Sequence, residues 1–343
     1  MRKLLNVLYV TSPKAYIKRD GENIVIFNEQ TETFRIPAHN LEGIVTFGYM
    51  GASPGAMHLC TEKGIALSFL KENGEFIARV QGKVSGNVLL RRKQYRLADN
   101  EEECARLASR FIAAKVSNSR AVLNRGIRDH REQVDHLLMK QTSDTLKHSI
   151  AKVMRMNTLE DVRGVEGDVA KRYFGAMNEL ILTGKEAFYM RGRNRRPPRD
   201  RMNALLSYLY MFLMLETQSA LETVGLDPAV GFLHRDRPGR ASLALDVMEE
   251  LRAYMVDRLA LSLVNRKQIQ ADDFMIQENE AVILKKDARK QVIAAWQERK
   301  QTDLVHPYLQ EKMKIGLLPY VQSLLLARHI RGDLDDYPPF LWK

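Results

Sequence analysis

The fold is decided around residues 103–130, ECARLASRFIAAKVSNSRAVLNRGIRDH, where the pattern of apolar residues changes along the chain. Apolar positions in this stretch recur at helical spacing, and it contains no strand-like run. Helical patterns of this kind begin near residue 96 and continue to about residue 330. The segment at 335–343, DDYPPFLWK, is too short and too rich in proline to extend them. We therefore predict a helical domain over residues 96–343.

The residues before this change have the texture of β-strands. Short segments rich in β-branched and aromatic residues alternate with turn signals such as Asp20-Gly21 and Asn73-Gly74. One stretch at 51–64, GASPGAMHLCTEKG, departs from this pattern and predicts a short helix that ends at Gly64. We predict an α+β protein, in which a β-sandwich-like domain over residues 1–95 precedes the larger all-α domain.

The composition indicates an anionic partner. The chain has 343 residues, of which 45% are apolar and 28% charged, and this balance is typical of globular proteins. Its formal net charge is +11 and its pI is about 9.5, which favours nucleic acid first and an anionic membrane surface second. A basic protein without such a partner is the alternative that charge leaves open. Cys60 and Cys104 are too few for a disulfide framework or a four-thiolate metal site.

No segment predicts insertion into a membrane. The N-terminal apolar run is interrupted by Asn6, Thr11 and Ser12, which argues against a signal peptide. The longest apolar run, ALLSYLYMFLML at 204–215, is shorter than the roughly 18–20 residues that a membrane-spanning helix requires. We expect a cytoplasmic protein with no membrane partner.

The positive charge of the helical domain is concentrated in one segment, RGRNRRPPRDR at 191–201. Six of its eleven residues are arginines, and its paired prolines exclude a helix. We predict an extended loop that binds the phosphates of a nucleic acid; a loop that is merely solvated is the alternative. The arginines assigned to this contact are Arg191, Arg193, Arg195, Arg196 and Arg199.

The stretch GFLHRDRPGRASLALDVMEELR at 231–252 places a histidine ahead of a helix with acidic residues. Asp246 and Glu249 are three residues apart, so they project together from the side of an apolar helix face. Their mutual repulsion would turn into attraction if a cation lay beside them. A loop would have to fold His234 back over the helix. A solvated helix face with a structural histidine is the alternative.

Two other polar residues stand close to helix starts. Glu166 lies between Gly164 and Gly167, where it either complements a helix dipole or faces a group that approaches the backbone closely. Asn203 precedes a long apolar helix and predicts its N-cap. If Glu166, His234 and Glu249 meet, two carboxylates and one imidazole would suit Mn²⁺ or Mg²⁺. The sequence contains no zinc pattern such as HExxH or paired CxxC.

Three blocks together resemble the motifs of the CRISPR-associated integrase family, Cas protein one. They are GVEGDVAKRYF at 164–174, RPPRDRMNALLSYLY at 196–210 and the stretch at 231–252. Four further segments are similar to the type I-C branch, so the resemblance covers nearly the whole chain. These segments are TSPKAYIKRDGENIV at 11–25, IPAHNLEGIVTFGYMGASPGAM at 36–57, GKVSGNVLLRRKQYR at 82–96 and RGDLDDYPPFLWK at 331–343.

The resemblance implies a specific active site in a helical catalytic domain. The family's catalytic metal ligands fall on Glu166, His234 and Glu249, with Mn²⁺ or Mg²⁺ as the cofactor. Many members have aspartate where this chain has Glu249, and Glu250 competes for the assignment on sequence alone. The residues implied to support the site are Asp246 and Asn203. Arg240 and Arg252 are implied to contact the DNA backbone, although Arg252 could equally be an ordinary exposed helix arginine.

The resemblance also implies a reaction and partners. The protein would join the 3′-hydroxyl ends of new spacer DNA to the repeat of a CRISPR array by transesterification. Its partners would be double-stranded DNA, a second copy in a homodimer, a Cas protein two dimer and Cas protein four. Two other functions stay open: a stand-alone nuclease acting on branched repair intermediates, and a DNA-binding scaffold without catalysis.

Overall fold

Two units, Met1–Gly86 and Asn87–Lys343, make up the computed structural model, which describes residues 5–83, 87–194 and 197–342. The predicted boundary between residues 95 and 96 falls inside a helix, α2 (Val88–Ala98), that belongs to the second unit. This helix packs against other helices of the second unit. The first helix of the second unit therefore begins at Val88, before residue 96, where the sequence pattern becomes helical.

The first unit contains two sheets and one helix. A four-stranded sheet has the order β1-β5-β6-β7, with β1 and β6 both parallel to β5, and β7 antiparallel to β6. Strands β2, β3 and β4 form an antiparallel sheet. The elements are β1 (Asn6–Val10), β2 (Ala15–Asp20), β3 (Asn23–Asn28), β4 (Thr31–Pro37), β5 (Leu41–Phe47), α1 (Pro54–Lys63), β6 (Ala66–Leu70) and β7 (Phe76–Val80).

The two sheets and α1 share one apolar core. Ile17 and Ile24 from one sheet, Ile44 and Leu67 from the other, and Leu59 from the helix are all essentially buried. These residues remove one shared apolar surface from water, which stabilises the unit. The β-rich first unit and the helical second unit confirm the predicted α+β class.

The second unit is built mainly of helices. Its helices are α2, α3 (Glu101–Asp129), α4 (His136–Val153), α5 (Leu159–Met177), α6 (Lys185–Phe188), α7 (Arg201–Thr223), α8 (Ser242–Leu251), α9 (Arg258–Asn265), α10 (Lys286–Lys300) and α11 (Leu318–Arg331). Two short antiparallel hairpins, which the sequence did not predict, pair β8 (Phe274–Ile276) with β9 (Val282–Leu284) and β10 (Asp303–Val305) with β11 (Lys312–Lys314). No helix within the described ranges is both long and apolar enough to cross a membrane.

Helix α3 organises this unit. The Asn100 side chain caps its start by accepting hydrogen bonds from the backbone N–H groups of Glu102 and Glu103, and three glutamates in the first turn complement the helix dipole. The helix is 29 residues long and packs against α4, α5 and α8. Side chains in its middle therefore face elements that lie far apart in sequence.

Helices α8 and α9 are joined by a π-helical segment, Arg252–Asp257. The wider turn adds backbone at this point, which rotates the residues before and after it relative to one another. Five of its six residues, all except Arg252, are buried. Segments of this kind often accompany functional sites, and this one directly follows the helix that carries Asp246 and Glu249.

Candidate active site

A lysine from α3 joins two carboxylates from different helices. Lys115 Nζ donates a hydrogen bond to Glu166 Oε1 on α5 and lies 2.9 Å from Glu249 Oε2 on α8. The lysine and Glu249 are buried, whereas the Glu166 side chain is 29% exposed. The structure therefore brings together two of the three residues predicted as ligands, and it places an ammonium group between them.

Glu249 is held as a carboxylate by surrounding positive charge. Burial opposes ionisation, but Arg252, then Lys115 and His234, outweigh it and lower the pKa of Glu249 to about 2. Arg252 Nη1 lies 3.0 Å from Glu249 Oε1. Glu249 Oε2 is fully buried and has no partner in hydrogen-bonding geometry, even though the ammonium of Lys115 is close. This oxygen is thus charged, shielded from water and paired with the Lys115 ammonium outside hydrogen-bonding geometry.

Asp246 fixes the loop that carries His234. One of its oxygens accepts hydrogen bonds from the backbone N–H groups of Phe232 and Leu233, at 2.6 and 2.9 Å. The other lies 3.0 Å from the His234 backbone nitrogen and 2.6 Å from His234 Nδ1. With the Nδ1 proton donated to the carboxylate, the lone pair of a neutral imidazole resides on Nε2.

The tight approach of this loop to α8 requires glycine at position 231. A Cβ at Gly231 would lie 2.8 Å from Asp246 Oδ2 and 2.9 Å from Ser242. Arg163, one turn before Glu166 on α5, donates a hydrogen bond of 3.1 Å from Nε to the Leu233 carbonyl. The helix of Glu166 and the loop of His234 are therefore linked directly.

The donor set fits a hard divalent cation by chemistry. Two carboxylates and an imidazole nitrogen are ligands that Mn²⁺ and Mg²⁺ accept, and Glu249 Oε2 makes no hydrogen bond, although it faces the ammonium of Lys115. Across the described residues, however, no three acidic, histidine or cysteine side chains are gathered closely enough to hold a metal ion. Lys115 already provides a cation at the point where the two carboxylates meet.

Asn203 does not cap its helix, so that prediction is wrong. Helix α7 begins at Arg201, and the Asp200 side chain accepts the capping hydrogen bond from the Asn203 backbone N–H, at 2.7 Å. Aspartate at this position makes the N-cap one turn earlier than expected. The buried Asn203 side chain instead donates to the Gly192 carbonyl at 2.8 Å and accepts from Arg193, so it anchors the basic loop.

The arginines of the basic loop have different surroundings. Arg193 is tied inward, because its guanidinium bonds Asn203 and the Ser207 hydroxyl and stacks 5.3 Å from the Tyr210 ring centre. Arg191 and Arg199 are exposed, and Arg199 pairs at 3.4 Å with Glu280. Arg195 and Arg196 lie outside the described residues. The loop is non-helical wherever it is described, as its prolines predict.

Two other arginines predicted to bind DNA are engaged within the protein. Arg240 Nε donates at 3.2 Å to the Ser242 hydroxyl and its guanidinium also bonds the Arg235 carbonyl. Arg252 is only 11% exposed and stacks 5.0 Å from the Tyr210 ring centre, so the reading as an ordinary exposed helix arginine is wrong. It is buried because it neutralises Glu249, which lies one turn before it on the helix.

A buried aspartate in the π-helical segment was missed by the sequence reading. Asp257 accepts hydrogen bonds from Tyr173 on α5, at 2.9 Å, and from Tyr210 on α7. Burial raises the pKa of Asp257 to about 6, although both tyrosines and nearby arginines partly oppose this. The two tyrosines are thus fixed at their hydroxyl ends.

The neighbour of Glu249 points into a separate buried network. Glu250 accepts hydrogen bonds from the Tyr337 hydroxyl, from the Phe340 backbone N–H at 2.6 Å and from Gln322 at 3.2 Å. Burial raises the pKa of Glu250 to about 7 despite these donors. Because its oxygens are occupied inside the fold, Glu250 does not share the position of Glu249 beside Lys115.

Comparison with known proteins assigns the family. A family model described as CRISPR associated protein Cas1 matches residues 8–298. The chain belongs to the Cas1 family. Among curated Cas1 proteins, "CRISPR-associated endonuclease Cas1 1" of Chlorobaculum tepidum is 49% identical over the full length of both chains. A "CRISPR-associated exonuclease Cas4/endonuclease Cas1 fusion" of Geobacter sulfurreducens is 35% identical over 340 residues, which cover 97% of this chain and 60% of the fusion.

Solved structures share the Cas1 fold. A CAS1 protein from Thermotoga maritima matches with a TM-score of 0.82 at 22% identity, covering 98% of this chain and 100% of the other. A casposase bound to integration product has a TM-score of 0.83 at 22% identity over 97% and 92% of the two chains. A Cas6-RT-Cas1–Cas2 complex has a TM-score of 0.83 at 23% identity, covering 100% of this chain and 36% of that one. At these identities the likeness shows the fold.

Proposed function

We propose that this protein is a metal-dependent DNA integrase and endonuclease of CRISPR adaptation. It would join the 3′-hydroxyl ends of new spacer DNA to the repeat of the array by transesterification. The observation that carries the proposal is that Glu166 and Glu249 both contact the ammonium of Lys115, in a member of the Cas1 family. The curated relative at 49% identity is named an endonuclease, which supports phosphodiester chemistry.

The side chains have separate roles in this proposal. Glu166, Glu249 and His234 Nε2 would hold Mn²⁺ or Mg²⁺. Such an ion lowers the pKa of an attacking hydroxyl and neutralises charge on the reacting phosphate. Asp246 keeps the imidazole in the tautomer with a free Nε2, because it accepts the Nδ1 proton.

The two basic residues at the site would act in opposite ways. Arg252 keeps Glu249 ionised and stays against Tyr210, since its buried guanidinium has both an ion pair and a ring contact. Lys115 has to leave its place between the carboxylates before a metal ion can share them. Its ammonium would then be available to a DNA phosphate at the same site.

We propose double-stranded DNA, a second copy of this chain and Cas protein two as partners, acting in the cytoplasm. The relative structure that contains Cas1 together with Cas2 supports the Cas protein two assignment. The relative that fuses Cas4 to Cas1 supports Cas protein four as a further partner. The exposed Arg191 and Arg199 would follow the DNA backbone without reading its sequence.

An integration assay tests the function directly. Purified protein, Cas protein two and Mn²⁺ are incubated with a spacer duplex and a labelled repeat. We expect joined products from the wild type and none from Glu249→Gln or His234→Ala, with DNA binding retained. Glu160→Gln, an exposed glutamate in the first turn of α5, is the matched control and should remain active.

The same assay separates the alternatives. Cleavage of branched DNA without any joined product would support a stand-alone nuclease that uses water as the nucleophile. Undiminished joining by both active-site variants would rule out the assignment of Glu249 and His234. The absence of both cleavage and joining, with intact DNA binding, would support a scaffold.

A further inference from the structure

A second charged site lies in the helical unit, away from Lys115 and the carboxylates. A half-open cavity of about 730 Å³ is lined by the end of α3, the segment after α5, helix α9 and the end of α10. Its volume is within the range of small-molecule binding sites. The charged side chains in its wall are those of Arg125, Asp129, Arg258, Arg266, Glu298 and Arg299. Apolar residues, among them Val122, Leu180 and Leu259, form the remaining wall.

Two of these arginines lack an acidic partner. Throughout the part of the chain that the structure describes, neither Arg258 nor Arg299 forms an ion pair with a carboxylate. The nearby Asp129 is already paired with Arg125 at 3.1 Å and with Arg128 at 2.9 Å. Arg299 donates one hydrogen bond, to the Tyr254 carbonyl at 3.0 Å, and its buried Nε has no partner. The cavity wall thus holds uncompensated positive charge.

This arrangement is electrostatically costly for the protein by itself. Burial, together with repulsion from Arg299 and Arg125, lowers the pKa of Arg258 to about 10. Burial and the charge of Arg125 likewise lower the pKa of Arg299. An anion bound between the two guanidiniums would relieve both the repulsion and the loss of hydration.

Aromatic rings hold the two guanidiniums in place. Arg258 lies 4.3 Å from the ring centre of Trp342 and 5.1 Å from that of Tyr254. Arg299 lies 5.0 Å from the same Tyr254 ring. A guanidinium over a ring face keeps its N–H groups at the edge, where they can still bind a planar or tetrahedral anion. The ring contacts therefore restrict the positions of both guanidinium groups.

We propose that this cavity binds a nucleotide through a terminal phosphate. A phosphate monoester carries nearly two negative charges near neutral pH, so one group can neutralise two guanidiniums, whereas a peptide carboxylate can neutralise one. The apolar wall beside the arginines offers contact to a nucleoside. The same chemistry is present in a free nucleotide and at the 5′-phosphate end of a DNA strand. The proposal does not depend on the proposed integrase function.

Binding is measured by isothermal titration calorimetry on the full chain, in EDTA so that divalent ions play no part. The probes are deoxyadenosine 5′-monophosphate, deoxyadenosine, inorganic phosphate, and a six-nucleotide strand with or without a 5′-phosphate. We expect the monophosphate to bind at least tenfold more tightly than deoxyadenosine. Preference for the free monophosphate or for the phosphorylated strand identifies the source, and either preference supports the site.

The variants locate the binding. Arg299→Gln should weaken binding of the monophosphate at least tenfold, and Arg299→Lys should restore part of it, while circular dichroism shows that both are folded. Arg328→Gln, an exposed arginine on α11, should bind as the wild type does. Equal binding of deoxyadenosine and its monophosphate, tighter binding of a polyglutamate peptide, or unchanged binding by Arg299→Gln would overturn the proposal.

Discussion

The ammonium of Lys115 and the carboxylate of Glu249 face each other at 2.9 Å in the interior, although 134 positions separate them in sequence. Lys115 also donates a hydrogen bond to Glu166, so one ammonium group lies against carboxylates from two helices, α5 and α8. In the proposed function, this ammonium is the cation that a bound metal ion would have to replace between the two carboxylates.

Replacement of Lys115 tests this competition. Lys115→Met should destabilise the metal-free protein, because the carboxylates of Glu166 and the buried Glu249 lose the ammonium between them and repel each other. It should also bind Mn²⁺ more tightly, because no ammonium has to be displaced. Thermal unfolding and calorimetric titration with Mn²⁺ measure the two effects, with Lys147→Met on the exposed face of α4 as the control. Loss of Mn²⁺ affinity as large as that of Glu249→Gln would contradict the competition.

Gly231 offers a steric test of the histidine loop. Gly231→Ala should destabilise the protein by about 1–3 kcal/mol, because its Cβ would overlap Asp246 and Ser242. Gly164→Ala on α5 meets no atom within 4 Å and should stabilise the protein by about 0.5–1 kcal/mol through helix propensity. Urea unfolding compares them. Equal stability of the two variants would show that the loop moves aside freely.

Asp257 predicts a dependence of stability on pH. Its folded pKa of about 6 exceeds the ordinary 3.8, mainly because of burial, so the folded protein retains this proton more tightly than the unfolded chain. The resulting contribution to stability is complete below about pH 3.8 and declines as the pH rises to about 6. The difference in unfolding free energy between wild type and Asp257→Asn should therefore change by about 1–3 kcal/mol between pH 4 and pH 7. A difference that is constant over this range would exclude the shifted titration.

The link between Glu250 and Tyr337 predicts a stability loss. Tyr337→Phe removes a donor from a buried carboxylate and should cost about 1–3 kcal/mol in urea unfolding. Tyr308→Phe, at a half-exposed tyrosine, is the control and should change stability little. If the two substitutions have equal effects, the hydroxyl of Tyr337 contributes nothing specific.

The exposed arginines of the basic loop predict a change in salt dependence. Replacing both Arg191 and Arg199 by glutamine should reduce the slope of log affinity for DNA against log salt by up to about 2, if each contacts one phosphate. Arg106→Gln, at an exposed arginine paired with Glu103, should leave the slope unchanged. An unaltered slope in the double variant would show that these two side chains do not touch DNA.

Local patterns in the sequence were sufficient to predict the two-unit architecture. Short segments rich in β-branched and aromatic residues indicated the strands, and apolar residues at helical spacing indicated the helices. The boundary was misplaced because α2 is polar enough to look like a connection. The hairpins β8–β9 and β10–β11 were missed because three-residue strands contain no measurable alternation.

The acidic residues of the site could be predicted from the sequence, but the contacts of Lys115 and Asn203 could not. Lys115 follows Phe111 by one helical turn, so a lysine on the apolar face of α3 was a visible signal. Its partners could not be deduced, because they depend on how α5 and α8 pack against α3. Asn203 was predicted to be the N-cap of α7, but Asp200 is the N-cap and accepts the hydrogen bond from the Asn203 backbone N–H. Both residue types favour the N-cap, so the sequence alone does not decide between them.

The network around Glu250 has a consequence for the order of events during synthesis. Tyr337 is translated 87 positions after Glu250, and until it leaves the ribosome the carboxylate lacks this partner and the Phe340 backbone N–H. In a nascent chain that has not reached these residues, the side of α8 that carries Glu250 is therefore not yet covered by them. A chain that ends before residue 337 therefore lacks two of the hydrogen-bond donors to Glu250 on α8, the helix that also carries Glu249.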